Sequence, residues 1–233
     1  MNSSTSRLKV NTDTWQTFKE YIKGPAAFNQ DPSSRKLEKL LNEQFPVQEG
    51  LYNSIRSKLP VLRSAISGTL ISQLDDESLI ALYAYTLDSE DIGGREPIYK
   101  LLNESLRLHR YACWNPLLSC LSKAMSKRLS YKERPTLFAG LNTSVSDSLK
   151  PNECIYLRDF RSCSEQRSTA EHFGSLLLRF TKVHALPLSR ISRYSNEKEW
   201  LIPPSSISGC KFRITRVDTE RNEVHLEQEP ESC

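Results

Sequence analysis

Up to Pro135 the apolar positions recur every three or four residues; beyond it they alternate or bunch into short runs. Trp15, Phe18, Tyr21 and Ile22 mark a first helix that stops at Gly24, and GPAAFNQDPSS follows as a loop. Helical spacing resumes through Leu37, Leu40 and Leu41, and a long amphipathic stretch runs from about Val47 to Gln73. Asp75 is placed to cap a helix over DESLIALYAYTL. Ile98, Leu101, Leu102 and Leu106 predict another in REPIYKLLNESLRLHR, and NPLLSCLSKAMSKRL adds one more.

The later runs are TLFAGL, CIYLRDF, SLLLRFTKV, EWLIPP, CKFRITRVD and EVHLEQ. Each is short and bounded by Ser, Asn, Pro or Asp, which is the chemistry of strands and turns. Ser168 and Glu171 have the S-x-x-E spacing of a capping box and predict one short helix among them. Helices first and strands afterwards argue an α+β fold.

A chain of 233 residues with 38% hydrophobic and 26% charged residues has material for a core. No apolar run approaches the ~18 residues of a membrane span, and MNSSTSRLKVNTDTW has no apolar leader segment, so no membrane partner is expected. The net charge of +4 is mild. Its densest part, Lys123, Lys127, Arg128, Lys132 and Arg134, reads as the wet face of a helix, so no nucleic-acid partner is expected either. The six cysteines make no C-x-x-C pair and the four histidines are scattered, so no metal is expected. Free thiols point to the cytoplasm or another reducing compartment, with secretion left open. Among eight glycines there is no phosphate loop, and neither G-x-S-x-G nor H-E-x-x-H occurs.

The candidate chemistry lies in the order of small signals. Ala139–Gly140 close a strand at a point where a ligand could approach the backbone. Phe160, Ser162 and Ser164 alternate along F-R-S-C-S, which puts the two serines on one face. Glu197 and Glu199 stand one residue apart ahead of Trp200, Leu201 and Ile202, and in an extended segment both would share a side. Each signal alone also fits a packed or solvated surface. Two carboxylates held over a reacting bond could divide the work, one answering developing positive charge and the other engaging a cationic group.

The succession small–Gly, F-x-S-x-S, A-x-x-F and S-x-x-x-x-E-x-E resembles the arginine-specific mono-ADP-ribosyltransferases, the toxin-like and ecto-enzyme group with an Arg–Ser–Glu triad. Tyr85–Thr86 and LLNESLR, residues 101–107, resemble that group's helical signature. The resemblance covers roughly residues 75–228. It implies a split-sheet core over residues 75–233; a helical region over 1–74, which the resemblance does not explain, is expected to join that core in one compact unit. It also implies NAD as substrate, a protein partner with an accessible arginine, and a monomer. Glu199 falls on the catalytic glutamate, Glu197 on the glutamate that engages the target arginine, and Ser162 on the serine that holds Glu199. Gly140, Ser164, Phe160 and Ala139 fall among the cofactor-binding positions, with Cys163 replacing the usual threonine.

One departure concerns the cofactor. The family carries an arginine before the glycine, where this chain reads Phe138-Ala139-Gly140. A charge-assisted hydrogen bond is worth ~1.5–3 kcal/mol, so its loss weakens NAD binding by ~10–150-fold. Three explanations stand: another arginine, Arg167 or Arg161, substitutes; the chain is a non-catalytic relative that still binds; or the residue has been changed deliberately. A plain helical interaction protein, with the glutamates on a wet loop, is the reading outside this family.

Overall fold

The computed structural model describes residues 34–47, 50–126, 136–145 and 149–230. The helix expected around Trp15, and the basic residues from Lys127 to Arg134, lie outside that set.

The helical lobe comprises α1 (Ser34–Gln44), α2 (Leu51–Ser57), α3 (Leu59–Ala65), α4 (Asp76–Tyr85), α5 (Ile98–Arg107) and α6 (Asn115–Ser126). Asp75 caps α4 as its sequence position predicts, its carboxylate accepting the Ser78 N–H at 2.8 Å. Helix α4 is buried nearly all round, from Ser78 to Tyr85, which makes it the centre of the lobe. The stretch from Val47 to Gln73 is not one helix. Pro60, in the first turn of α3, cannot donate the N–H that would continue α2, and Gly68 turns left-handed at φ 72°.

The strands are β1 (Leu137–Leu141), β2 (Cys154–Ile155), β3 (Arg161–Ser164), β4 (Leu176–Thr181), β5 (Leu186–Pro187), β6 (Glu199–Ile202), β7 (Cys210–Asp218) and β8 (Glu223–Pro230). Two short helices, α7 (Arg167–Glu171) and α8 (Ser205–Ser208), interrupt them. The order across the sheet is β2-β7-β8-β4-β1-β3-β6-β5. All pairs are antiparallel except β4 with β8. The sheet is weakest at its middle, where β1 and β3 share one register pair, Phe138 with Ser164. Two residues along β1 is Gly140 and two back along β3 is Ser162; there the strands part. That seam is the split of the sheet.

Two expected elements differ. CIYLRDF forms only the two residues of β2, because the Leu157 backbone pairs with Ser205 on both sides, at 2.9 and 2.7 Å, and leaves the sheet. The Ser168–Glu171 capping box does not form. Helix α7 begins at Arg167, Ser168 lies inside it, and Glu171 instead pairs with Arg167 Nε at 2.9 Å.

Two cores flank the sheet. The first joins the helices to Phe160, Leu186, Leu188 and Leu201; the second joins Leu137, Ala139, Cys163, Leu178, Phe180, Ile202, Phe212 and Val224. Neighbours Leu201 and Ile202 serve different cores because successive strand residues face opposite sides. Among the described residues, no helix is long and apolar enough to cross a membrane, and Cys113, Cys120, Cys154, Cys163 and Cys210 are free thiols.

Candidate active site

Strands β3 and β6 pair Ser162 with Leu201 and Ser164 with Glu199. Opposed residues of an antiparallel pair share a face, so both serines and Glu199 look toward the helical lobe. Cys163 and Trp200 look toward the second core. Glu199 is half-buried, and its carboxylate receives the hydroxyls of Ser162 and Ser192. Burial pushes this carboxyl above the usual glutamate range; the two hydroxyl donors oppose the shift and the charge of Glu197 adds to it.

Ser164 has a different task from the cofactor-binding one that the resemblance gives it. It is 4% exposed, donates to the Glu197 carbonyl at 2.7 Å and accepts the Gln166 N–H at 3.0 Å. Its hydroxyl thus fixes the turn that carries the glutamates. That turn is not extended. Glu197 ends a 3-10 turn, Ser195–Glu197, and Lys198 is left-handed at φ 46° before β6 begins at Glu199. Simple alternation therefore does not relate the two carboxylates, although the charge of Glu197 acts on Glu199.

Helix α5 explains the signature LLNESLR. Asn103 and Arg107, four residues apart, share a helix face. Asn103 accepts the Phe160 N–H and donates to the Phe160 carbonyl, both at 3.1 Å, and reaches the Tyr85 hydroxyl at 3.2 Å. Arg107 grips Asp159 at 2.6 Å, and Arg161 meets the same carboxylate at 3.2 Å. Asp159 is 1% exposed. The entry to β3 is therefore clamped on both sides of Phe160. The Phe160 side chain is 1% exposed and packs its ring 5.6 Å from that of Tyr85, so it lines the core and not the cleft.

Beside this clamp lies a groove of about 310 Å³ lined by Glu96, Tyr99, Lys100, Asn103, Glu104, Arg107, Asp159 and Arg161. Burial, and the charges of Asp159 and Glu199, hold the Tyr85 phenol far above its ordinary value, while the Asn103 hydrogen bond and Arg161 oppose them. One buried hydroxyl thus feels both the groove and the glutamate.

On the other side of the seam, a Cβ on Gly140 would stand 2.1 Å from the Ala170 carbonyl oxygen and 2.8 Å from the Gly174 N. The glycine is needed for close approach of α7. Phe173, 40% exposed, ends this segment next to Gly140. Ala139 is 2% exposed in the second core, opposite Leu178 in the middle of β1. Arg167 bridges Glu171 at 2.9 Å and Glu223 at 2.7 Å. The structure thus brings together Glu199, Glu197 and Ser162, with Gly140 across the seam on β1. It gives Ser164 to the turn, Phe160 and Ala139 to the cores, and Arg167 to Glu223.

Sequence reasoning had not assigned roles to Asn103, Arg107, Asp159 and Ser192. Signals for three of them were present, in L-N-x-x-L-R and in the first serine of S-x-x-x-x-E-x-E; nothing in the sequence singles out Asp159.

The family model described as NAD:arginine ADP-ribosyltransferase matches residues 16–233. The chain belongs to this ADP-ribosyltransferase family. The match takes in helices before residue 75 that the sequence resemblance had left unexplained. No curated protein matches significantly. Among solved structures, the eukaryotic mono-ADP-ribosyltransferase ART2.2 is similar with a TM-score of 0.62 at 17% identity, over 90% of this chain and 94% of that one. The type III effector XopAI from Xanthomonas axonopodis pv. citri gives 0.64 at 19%, over 87% and 85%. The ADP-ribosyltransferase Vis, solved with agmatine, gives 0.53 at 16%, over 76% and 84%. At these identities the likeness is one of fold. Family and fold together support an NAD-using transferase. Among the described residues, no group of three or more His, Cys, Asp or Glu is placed to hold a metal ion.

Proposed function

We propose that this ADP-ribosyltransferase moves ADP-ribose from NAD to the guanidinium of an arginine in a partner protein and releases nicotinamide. The observation that carries the reading is the Glu199 carboxylate, fixed by two hydroxyls beside the seam between Gly140 and Ser162. The bond between the nicotinamide nitrogen and ribose C1′ breaks, its electron pair leaves with nicotinamide, and positive charge develops on the sugar. A pre-oriented carboxylate stabilises that charge without reorganising. A guanidinium nitrogen then attacks C1′ and gives its proton to Glu197. Phe173 and the Gly140 backbone form the wall against which the flat nicotinamide ring rests.

The pyrophosphate needs cations that Ala139 does not supply. We assign it to Arg107 and Arg161, oriented by their shared Asp159 in the groove that begins one residue before Ser162. Arg107→Met is expected to weaken NAD binding by ~10–150-fold, the worth of one charge-assisted hydrogen bond. Calorimetric titration measures it; an unchanged affinity would place the phosphates elsewhere.

Arginine as acceptor is supported by Glu197 and by the fold shared with Vis, solved with the guanidine agmatine. Glu197→Gln is expected to stop modification of agmatine while at least half of the nicotinamide release persists. Equal loss of both would remove Glu197 from the acceptor site. Ala139 favours a second reading, an NAD-binding module without turnover. NAD titration followed by a nicotinamide-release assay decides between them: binding without release identifies the module, and no binding refutes both.

A further inference from the structure

Residues 188–198 connect β5 to β6 and carry Glu197 at their end. The Leu188 N–H donates to the Glu199 carbonyl at 2.8 Å, closing the base of this loop. Its body is fastened to the helical lobe. Arg190 donates to the Ala65 carbonyl at 3.3 Å, the Arg193 guanidinium pairs with Asp91, and the Tyr194 hydroxyl donates to Asp88. The two aspartates form one unit, because the Asp88 N–H bonds the Asp91 carboxylate at 3.1 Å around the 3-10 turn Ser89–Ile92. Ile92, 1% exposed, roots this turn in the first core.

Between these fastenings and β6 lies Ser192, 8% exposed. Its oxygen accepts the Tyr194 N–H at 3.2 Å, and its hydroxyl proton goes to Glu199. A serine has one proton to give, so a backbone donor on its acceptor side directs that proton to the carboxylate. The position of Ser192 is therefore set by Arg193 and Tyr194, its two successors, and through them by Asp88 and Asp91.

We propose that the Asp88–Asp91 turn is the seat of the glutamate-bearing loop and that Ser192, held there against Glu199, is a second positioning residue for NAD cleavage beside Ser162. The catalytic part of this rests on the function proposed above; the seat itself does not. It gives the helical lobe a task beyond packing: the lobe sets the angle at which Glu199 meets the sugar. The ionisable groups that act on Glu199 or feel its charge are Glu197 from the loop, Tyr85 from α4 and Cys163 from β3.

Two readouts test it, one of them independent of turnover. The Glu199 carboxyl is followed by carbon NMR across pH, assigned by its disappearance in Glu199→Gln, and nicotinamide release is measured over the same range. Ser192→Ala is expected to move the Glu199 titration to higher pH and to lower release about tenfold at neutral pH, since one charge-assisted bond is lost. Ser192→Thr, which keeps the hydroxyl, is expected to restore both. Tyr194→Phe combined with Asp91→Asn is expected to move the titration in the same direction with Ser192 intact. An unmoved titration in Ser192→Ala overturns the positioning role, and an unmoved one in the double variant overturns the seat. If the wild-type protein releases no nicotinamide while the titration shifts as stated, the reaction is wrong and the seat stands.

Discussion

Glu199→Gln is expected to lower nicotinamide release by about 10²–10³-fold while leaving the fold intact, the usual loss when one preorganised electrostatic group is removed. The amide is nearly isosteric and can still accept from Ser162 and Ser192, so the loop keeps its place. What disappears is the negative charge that answers the cationic sugar. The stability side has a definite sign. Burial raises the Glu199 pKa in the folded state. Its contribution to stability is therefore fully present below the ordinary glutamate value and is lost as pH rises through the raised one. At neutral pH the fold holds a carboxylate it disfavours, and the glutamine variant should melt at the same or a higher temperature. Release above a tenth of wild type, or a large fall in melting temperature, would contradict the assignment.

The second large effect is on stability. Gly140→Ala puts a methyl 2.1 Å from the Ala170 carbonyl oxygen and 2.8 Å from the Gly174 N, and both are backbone atoms that no rotamer change can move. Either β1 or the segment from α7 to Gly174 must shift. Overpacking of this kind costs ~3 kcal/mol, which for a domain of this size is a fall of about 6–12 °C in melting temperature. The same shift widens the wall on which we rest nicotinamide, so NAD affinity should fall with it. Thermal melts and NAD titration on one preparation measure both. A variant that melts like wild type would show that α7 does not press on β1 as described.

Both predictions rest on residues the sequence already marked, and the reason is physical. Period and punctuation are local properties, so the Asp75 cap, the apolar face of α5 and the strand character of β1, β4, β6 and β7 were legible before any coordinates. The order of F-x-S-x-S and E-x-E was legible through the family resemblance, and alternation says which residues of each strand share a face. What was not legible depends on contacts distant in sequence. Nothing near Ser164 says that its hydroxyl meets the Glu197 carbonyl 33 positions away. The left-handed Lys198 directly follows that attachment. Asn103 and Arg107 look like an exposed helix face until Phe160 and Asp159, 57 and 52 positions on, are placed against them. The S-x-x-E pattern at Ser168 failed because Arg167 offered Glu171 a charged partner in place of a backbone N–H.

The placement of β8 bears on when the protein acquires its site during synthesis. Strand β8 lies between β7 and β4, in the interior of the sheet, yet among the described strands it comes last in the chain. Until residues 223–230 emerge, β4 lacks its parallel neighbour and β7 its longest pairing. Glu223 is also the buried partner of Arg167, so the helix resting on Gly140 gains this ion-pair tie to the sheet only then. Glu199, Ser162 and the fastened loop are all translated earlier, as are Gly140 and Phe173, but the ion pair that braces the helix beside them waits for β8. A ribosome-bound chain stopped before Glu223 would therefore carry both glutamates and lack that brace.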